Sequence, residues 1–359
     1  MGAFPFPSDQ GSQLLLAGTT RALVEAGHHV EIAAYAHGAG LMPAGLGETP
    51  VHRAPGVPGY RRMRSGPDVV KPVLDLRLAR VVAEVLRDRP FDVVHAHNHE
   101  ALLSCVVARS ATRMRHFPAL VYGQHTLMAE ELPSYSRLPG LRALGHALDR
   151  LPRLADGAVA LSARGALALG PLGAAVIPPG LFASDFAGVQ PRRPNSGRWL
   201  VYAGTPDAFQ GLGGLAAAME ALPGWHLLLV GPAWTARAAR RVWHAAVPVS
   251  ARWPSARDWI AGADVAIVPR ETCAGFPMKL LNYSALGLRT VVMAGGAYGV
   301  PGEVSVEPGE STAQAVSRSL DLPRPALASV LAKWSWSSRV PALVELYDAA
   351  RVTARAARS

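Results

Sequence analysis

Apolar residues along this chain fall into short unbroken runs, separated by stretches in which they recur every three or four positions. Unbroken runs suit strands buried on both faces, and the spaced stretches suit the helices that cover them. Ser12 to Gly27 predicts a helix, with Leu14, Leu15, Leu23 and Val24 apolar and Gly27 at its C-terminal cap. His29 to Ala34 predicts a buried strand, 73–87 a helix ending near Pro90, Phe91 to His97 a strand, and 100–114 a helix. Ala119 to Tyr122 and Gly157 to Leu161 predict further strands. This rhythm calls for a mostly parallel sheet covered on both faces.

The rhythm restarts after a polar, Pro-rich linker, Gln190 to Gly197. Strands are predicted at Trp199–Gly204, Trp225–Gly231, Ala263–Pro269 and Thr290–Ala294. The expected architecture is α/β, with two Rossmann-like domains whose parallel sheets face each other across a cleft. The expected boundaries are 1–185, 186–335 and a tail, 336–359. Val340, Leu343, Leu346 and Tyr347 put a helix in that tail, expected to brace the first domain. Ligands of such sheets gather beyond the carboxyl ends of the strands. One element is short: only MGAFPFPSD precedes the turn at Gly11, where a full central strand belongs. The start is therefore expected to lie inside a longer gene, a stub strand being the other reading.

Composition adds compartment and partners. Cys105 and Cys273 are far apart, so neither a disulfide framework nor a CxxC metal site is readable, and a reducing, cytoplasmic setting is expected. No apolar run reaches the ~18 residues of a membrane span. The first residues carry neither a basic nor an apolar signal-peptide region. The formal charge is +10, from 36 Lys and Arg against 26 Asp and Glu, which favours anionic partners. Scattered arginine in an alanine-rich chain also reflects nucleotide bias alone. Arg61, Arg62, Arg64, Lys71, Arg77 and Arg80 are denser, with Val69, Val70, Val73 and Leu76 between them. That stretch reads either as a solvated loop and helix face or as a surface for the anionic inner face of the cell membrane. No finger, helix-turn-helix or aromatic-spaced motif accompanies the charge, so nucleic acid is not an expected partner.

The candidate chemistry sits at predicted strand ends. Gly11 and Ser12 open a helix whose N–H groups can hold an anion or a sugar hydroxyl, or form a bare turn. His95, His97, His99 and Glu100 crowd one strand end, with His95 and His97 on one face. A fourth ligand and a closed geometry are not evident, so polar lining is preferred to zinc. His125 follows the next strand and can contact a hydroxyl or phosphate or relay a proton, unless it is a satisfied structural histidine. Glu130 or Glu131 either orients it or caps the next helix. In the second half, Gly204, Thr205, Gln210 and Gly211 join a strand to a helix and suit a diphosphate. No Walker lysine and no full GxGxxG occurs, so no cofactor is expected. Arg270 and Glu271 lead to Gly275, Phe276 and Pro277, then to Lys279 and Asn282 on a helix. Lys279 suits phosphate, or is a surface lysine; Asn282 both donates and accepts, as ribose recognition requires.

These residues resemble glycosyltransferase family 4, the retaining GT-B enzymes that use nucleotide sugars. The matching elements run in order: Gln10-Gly11-Ser12; Gly27-His28-His29-Val30; Asp92 to His97; Ala160-Leu161-Ser162; Ile177-Pro178-Pro179-Gly180; Asp264 to Pro269; and Gly275 to Val292. The resemblance implies transfer of a hexose-type sugar to a cell-envelope glycan, a lipid-linked or a secondary-metabolite acceptor. It assigns His125 to catalysis, Gly11, Ser12, His97 and Glu130 to substrate, and the second-half residues above to the donor. The chain departs from the family at the donor. The usual arginine and lysine at the diphosphate are Thr205 and Gln210, and the paired glutamates fall at Ala274 and Asn282. The alternative is a weak or inactive GT-B partner protein that binds without transfer.

Overall fold

The structure is a computed structural model that describes residues 1–8, 10–38, 40–60, 66, 68–112, 117–136, 138–205, 210–232, 239, 241–253, 255–270, 275–293 and 298–357. The chain forms two compact units. One comprises residues 1–180, 274–276 and 339–359, the other 181–273 and 277–338.

The first unit contains α1 (Gly11–Glu25), β1 (Ile32–Tyr35), β2 (Val51–Ala54), α2 (Lys71–Asp88), β3 (Val93–His97), α3 (His99–Thr112), β4 (Ala119–Gln124), α4 (Met128–Tyr135), α5 (Leu141–Leu148), β5 (Gly157–Ala160), α6 (Ala163–Leu169) and β6 (Ala175–Val176). Strand β1 pairs with β2, and β3 to β6 pair in chain order, all parallel. The first six residues fill the place between β1 and β3. Gly2 bridges His97 and Pro5 bridges Tyr35, both in parallel sense. The Gly2 N–H donates to Ala33 O, and the Tyr35 N–H to Phe4 O. Counted with this segment, the order up to β5 is the doubly wound 3-2-1-4-5-6, which puts the switch point between the segment and β3. The turn at Gly11 and the end of β3 therefore flank the place where such sheets bind ligands. The helices cover the sheet through the spacing that predicts them. On α2, Leu74, Leu78, Val82 and Leu86 are buried at four-residue intervals, each burial contributing about 2 kcal/mol.

The second unit contains β7 (Arg198–Ala203), α7 (Leu215–Glu220), β8 (Trp225–Gly231), β9 (Val247–Ser250), α8 (Ser255–Ala261), β10 (Val265–Val268), α9 (Met278–Ala285), β11 (Arg289–Val292), β12 (Glu303–Ser305), α10 (Thr312–Ser319) and α11 (Leu327–Trp334). Its sheet is parallel throughout, in the order β12-β11-β10-β7-β8-β9. This is again 3-2-1-4-5-6, with the switch point between β7 and β10. Two strands that the sequence pattern does not predict, β9 and β12, form its edges. Leu200, Tyr202, Leu227, Leu229, Val265, Ile267 and Val291 make the core.

The last helix, α12 (Val340–Ala356), belongs to the first unit. Its Leu343, Ala350 and Ala354 pack with Val121, Val159 and Ile177 against β4 and β5. Among the described residues, no helix is long and apolar enough to cross a membrane.

Candidate active site

At the carboxyl ends of β3 and β4, three histidines meet. Parallel register sets His97 beside Gly123, and a side chain on Gly123 would stand 2.7 Å from His95 Nε2. His95 and His97 face the same way, as strand alternation predicts, and their rings stack at 4.3 Å. His97 Nδ1 lies 2.9 Å from His125 Nε2. His95 Nδ1 lies 2.9 Å from the hydroxyl of Tyr347 on α12. Burial, followed by neighbouring charge, pushes His95 and His125 down to about 3 and His97 well below its ordinary value. All three rings are therefore neutral at physiological pH. Nδ1 of His125 is buried with no hydrogen-bond partner among the described residues.

His99 does not join this group. It faces Tyr122, whose hydroxyl is 3.1 Å from its Nδ1, and Asp149, 3.5 Å from its Nε2. Asp149 in turn accepts the N–H groups of Met128 and Ala129 at 2.8 and 3.0 Å. The N-terminus of α4 is thus capped by Asp149, not by Glu130 or Glu131. Glu130 pairs with Arg164 on α6 and does not touch His125 in this structure, while its Oε2 is buried without a partner among the described residues. Gly11 and Ser12 open α1, whose first turn holds no acidic residue. Among the described residues, no group of three His, Cys, Asp or Glu side chains is placed to hold a metal ion.

In the second unit the strand end is built around a lysine. The Lys279 ammonium lies 4.0 Å from the Tyr202 ring centre and donates to Gln210 Oε1 at 3.2 Å. A side chain on Gly204 would stand 3.1 Å from that ammonium. The Tyr202 hydroxyl donates to the Thr205 carbonyl at 2.9 Å. Gly211 has φ +73, and a side chain there would collide with the Pro269 carbonyl and crowd the Arg270 backbone. This close approach brings the ends of β7 and β10 together, and only glycine permits it. The Ala203 N–H donates to the Tyr283 hydroxyl at 2.7 Å, tying α9 to β7. Asn282 follows Lys279 by three positions on α9 and so shares its face.

Gly204, Thr205, Gln210, Gly211, Arg270 and Lys279 therefore form one constellation. Phe276 is buried, and Pro277 is the N-cap of α9. Gly275 packs within the first unit, where a side chain would collide with the His125 carbonyl. Glu271 lies outside the described residues. Sequence reasoning missed Tyr202, Asp149, Arg164 and Tyr347. Each sits in an ordinary-looking element, and only the fold brings it to a strand end.

The comparisons with known proteins agree with this topology. The family described as Glycosyltransferase Family 4 matches residues 10–181, and Glycosyl transferases group 1 matches residues 197–321. Sucrose-phosphate synthase from Thermosynechococcus elongatus aligns with TM-score 0.68 and 16% identity, covering 97% of this chain and 89% of that one. Anabaena HepE in complex with UDP aligns with TM-score 0.61 and 15% identity, over 95% and 97%. The lipopolysaccharide outer core galactosyltransferase WaaB in its apo form aligns with TM-score 0.63 and 11% identity, over 96% and 98%. At these identities the structures establish the fold. No curated protein matches the sequence. With one family matching the first domain and the other the second, the chain belongs to the GT4-type glycosyltransferases of the GT-B fold, and is a glycosyltransferase enzyme.

Proposed function

We propose that the enzyme moves a sugar from a nucleotide-sugar donor to a glycan, lipid-linked or small-molecule acceptor, with retention at the anomeric carbon. The observation that carries this reading is the Lys279 ammonium, set by Gln210 and the Tyr202 ring at the carboxyl end of β7. A cation there stabilises the charge that grows on a departing diphosphate, the term that dominates catalysis where no protein nucleophile acts. Arg270, beside Gly211, adds to it, and the N–H groups of the Gly211 turn take phosphate oxygens. Asn282, on the face of α9 that carries Lys279, takes the ribose hydroxyls. His125 meets the transferred sugar, with Gly11 and Ser12 at the substrate hydroxyls. In the transfer, the bond from the anomeric carbon to the phosphate oxygen breaks. The acceptor oxygen bonds to that carbon on the same face, and its proton passes to the departing phosphate.

HepE structures hold UDP, UDP with glucose, and UDP-glucose, which favours a uridine diphosphate sugar as the first donor to test. Such donors suit an enzyme of the cytoplasm, working at the inner face of the cell membrane when its acceptor is lipid-linked. Val69, Val73 and Leu76 are exposed near Arg77 and Arg80 and form the face for that contact. Arg61, Arg62 and Arg64 lie outside the described residues. Arg77 is turned to the Gly56 carbonyl, Arg80 to Glu84 and Lys71 to the Gly66 carbonyl. Incubation with UDP-, GDP- and dTDP-sugars tests the reading. At least one should raise the melting temperature or be turned over, and binding of none would overturn it.

A further inference from the structure

The conformation of His125 has its own support behind it. His97 and His125 end neighbouring strands, and the parallel register of β3 and β4 sets the two rings edge to face, 5.1 Å apart at 78°. Their contact joins two ring nitrogens, Nδ1 of His97 and Nε2 of His125, 2.9 Å apart. Two neutral imidazoles can make that bond only if one nitrogen carries the proton and the other does not. The tautomer of each ring is therefore tied to that of the other. Nε2 of His125 is consumed by the pair, and Nδ1 is left buried with no partner among the described residues. A buried nitrogen in that condition costs free energy until a ligand atom supplies the partner. Behind the pair, His95 stacks on His97, and the Tyr347 hydroxyl on α12 holds His95 in place.

We propose that His97 is a positioning residue that fixes the tautomer and ring orientation of His125, leaving Nδ1 of His125 as the atom that meets the transferred sugar. This rests on the placement of His125 at that sugar. It also revises the sequence expectation that His97 itself binds substrate. His97 acts through His125, and Tyr347 and His95 brace it from the C-terminal helix. The fold thereby gives α12 a task beyond packing.

Two substitutions and two readouts test the proposal. His97→Asn keeps a polar atom where Nδ1 stands, and His97→Phe keeps the ring but removes the partner. Nitrogen-15 spectra of the histidine rings, recorded on the full chain without donor, should show His125 as a single tautomer in the wild type and in His97→Asn. In His97→Phe, His125 should show the mixture of a free imidazole. Turnover of the nucleotide sugar that the panel selects should fall about tenfold in kcat for His97→Phe with KM little changed, while His97→Asn stays close to wild type. If both variants lose activity alike, the role is packing, and the proposal fails. It fails equally if His97→Phe keeps the single tautomer and full kcat, or loses the tautomer with kcat unchanged. Failure of the underlying reading looks different. There His125→Ala keeps full turnover, while the wild-type ring spectra still show His125 as a single tautomer.

Discussion

The carboxyl ends of β4 and β7 belong to two sheets of the same strand order, yet they handle charge in opposite ways. Beside β4, with β3, burial strips the charge from three histidine rings, and the groups offered to a ligand are neutral. At β7, an ammonium is set against an aromatic face and an amide oxygen. A sugar carries hydroxyls and needs neutral donors and acceptors; a diphosphate carries charge and needs a cation. That contrast supports the proposed assignment of the first strand end to sugar hydroxyls and of the second to phosphate. At the donor, where the resemblance expects cations at Thr205 and Gln210, the proposed phosphate contact is Lys279 on α9, which donates to Gln210.

The strongest blow to this comparison falls on the first strand end. His125→Ala should lower kcat about a hundredfold if the ring is needed as the reaction proceeds, with the donor KM little changed. Steady-state kinetics on a folded variant decide it, and an unchanged kcat removes the catalytic role.

A smaller effect sharpens the second strand end. Gln210→Lys restores the family's residue but sets two ammonium groups side by side. Having lost the amide oxygen that holds it and repelled by the new charge, Lys279 should leave the Tyr202 ring, and donor binding should weaken about tenfold. The exchange Gln210→Lys with Lys279→Gln leaves one cation and should recover most of that loss. Tighter binding in Gln210→Lys alone would show that the two positions are independent.

The pH response separates the regions next. His95 and His125 are held near 3, against 6.5 in the unfolded chain. Below about 6.5 the unfolded state binds protons that the folded state refuses, so their contribution is complete above that pH and is lost as pH falls toward 3. Melting temperature should decline from about pH 7 to about pH 5, before most carboxylates titrate. Over the same range kcat should show no titration from His125. A melting temperature flat across this window would mean that these rings are not held neutral.

The smallest effect belongs to the outer face of α2. Flotation with anionic vesicles should be weak and salt-sensitive, because Arg77 and Arg80 already have partners within the protein. Equal flotation with neutral vesicles would leave only an apolar contact.

Much of this was legible in the sequence, within physical limits. Central strands such as β4, β7, β8 and β10 are buried on both sides and read as unbroken apolar runs. The strands that escaped, β2, β6, β9 and β12, are the edges of their sheets. They span two to four residues and are partly exposed, so neither their length nor their polarity marks them. The segment before α1 is interrupted by Pro5 and Pro7, which hides a strand position held by single bridges. The site residues could be named because glycine turns and strand ends are local signals. Their pairings could not: Lys279 meets Gln210 across 69 positions, and His95 meets Tyr347 across 252. Such pairings depend on strand order, which no local pattern encodes.

The proposed role of the Lys279 ammonium at the donor phosphates is tested most directly by calorimetric titration. Of UDP, GDP and dTDP, the tightest binder is titrated into the wild type and into Lys279→Met, which keeps the length of the side chain and removes its charge. The account predicts that Lys279→Met binds this nucleotide at least about tenfold more weakly, with a shallower dependence on salt. Equal affinity and equal salt dependence in the two proteins would contradict it.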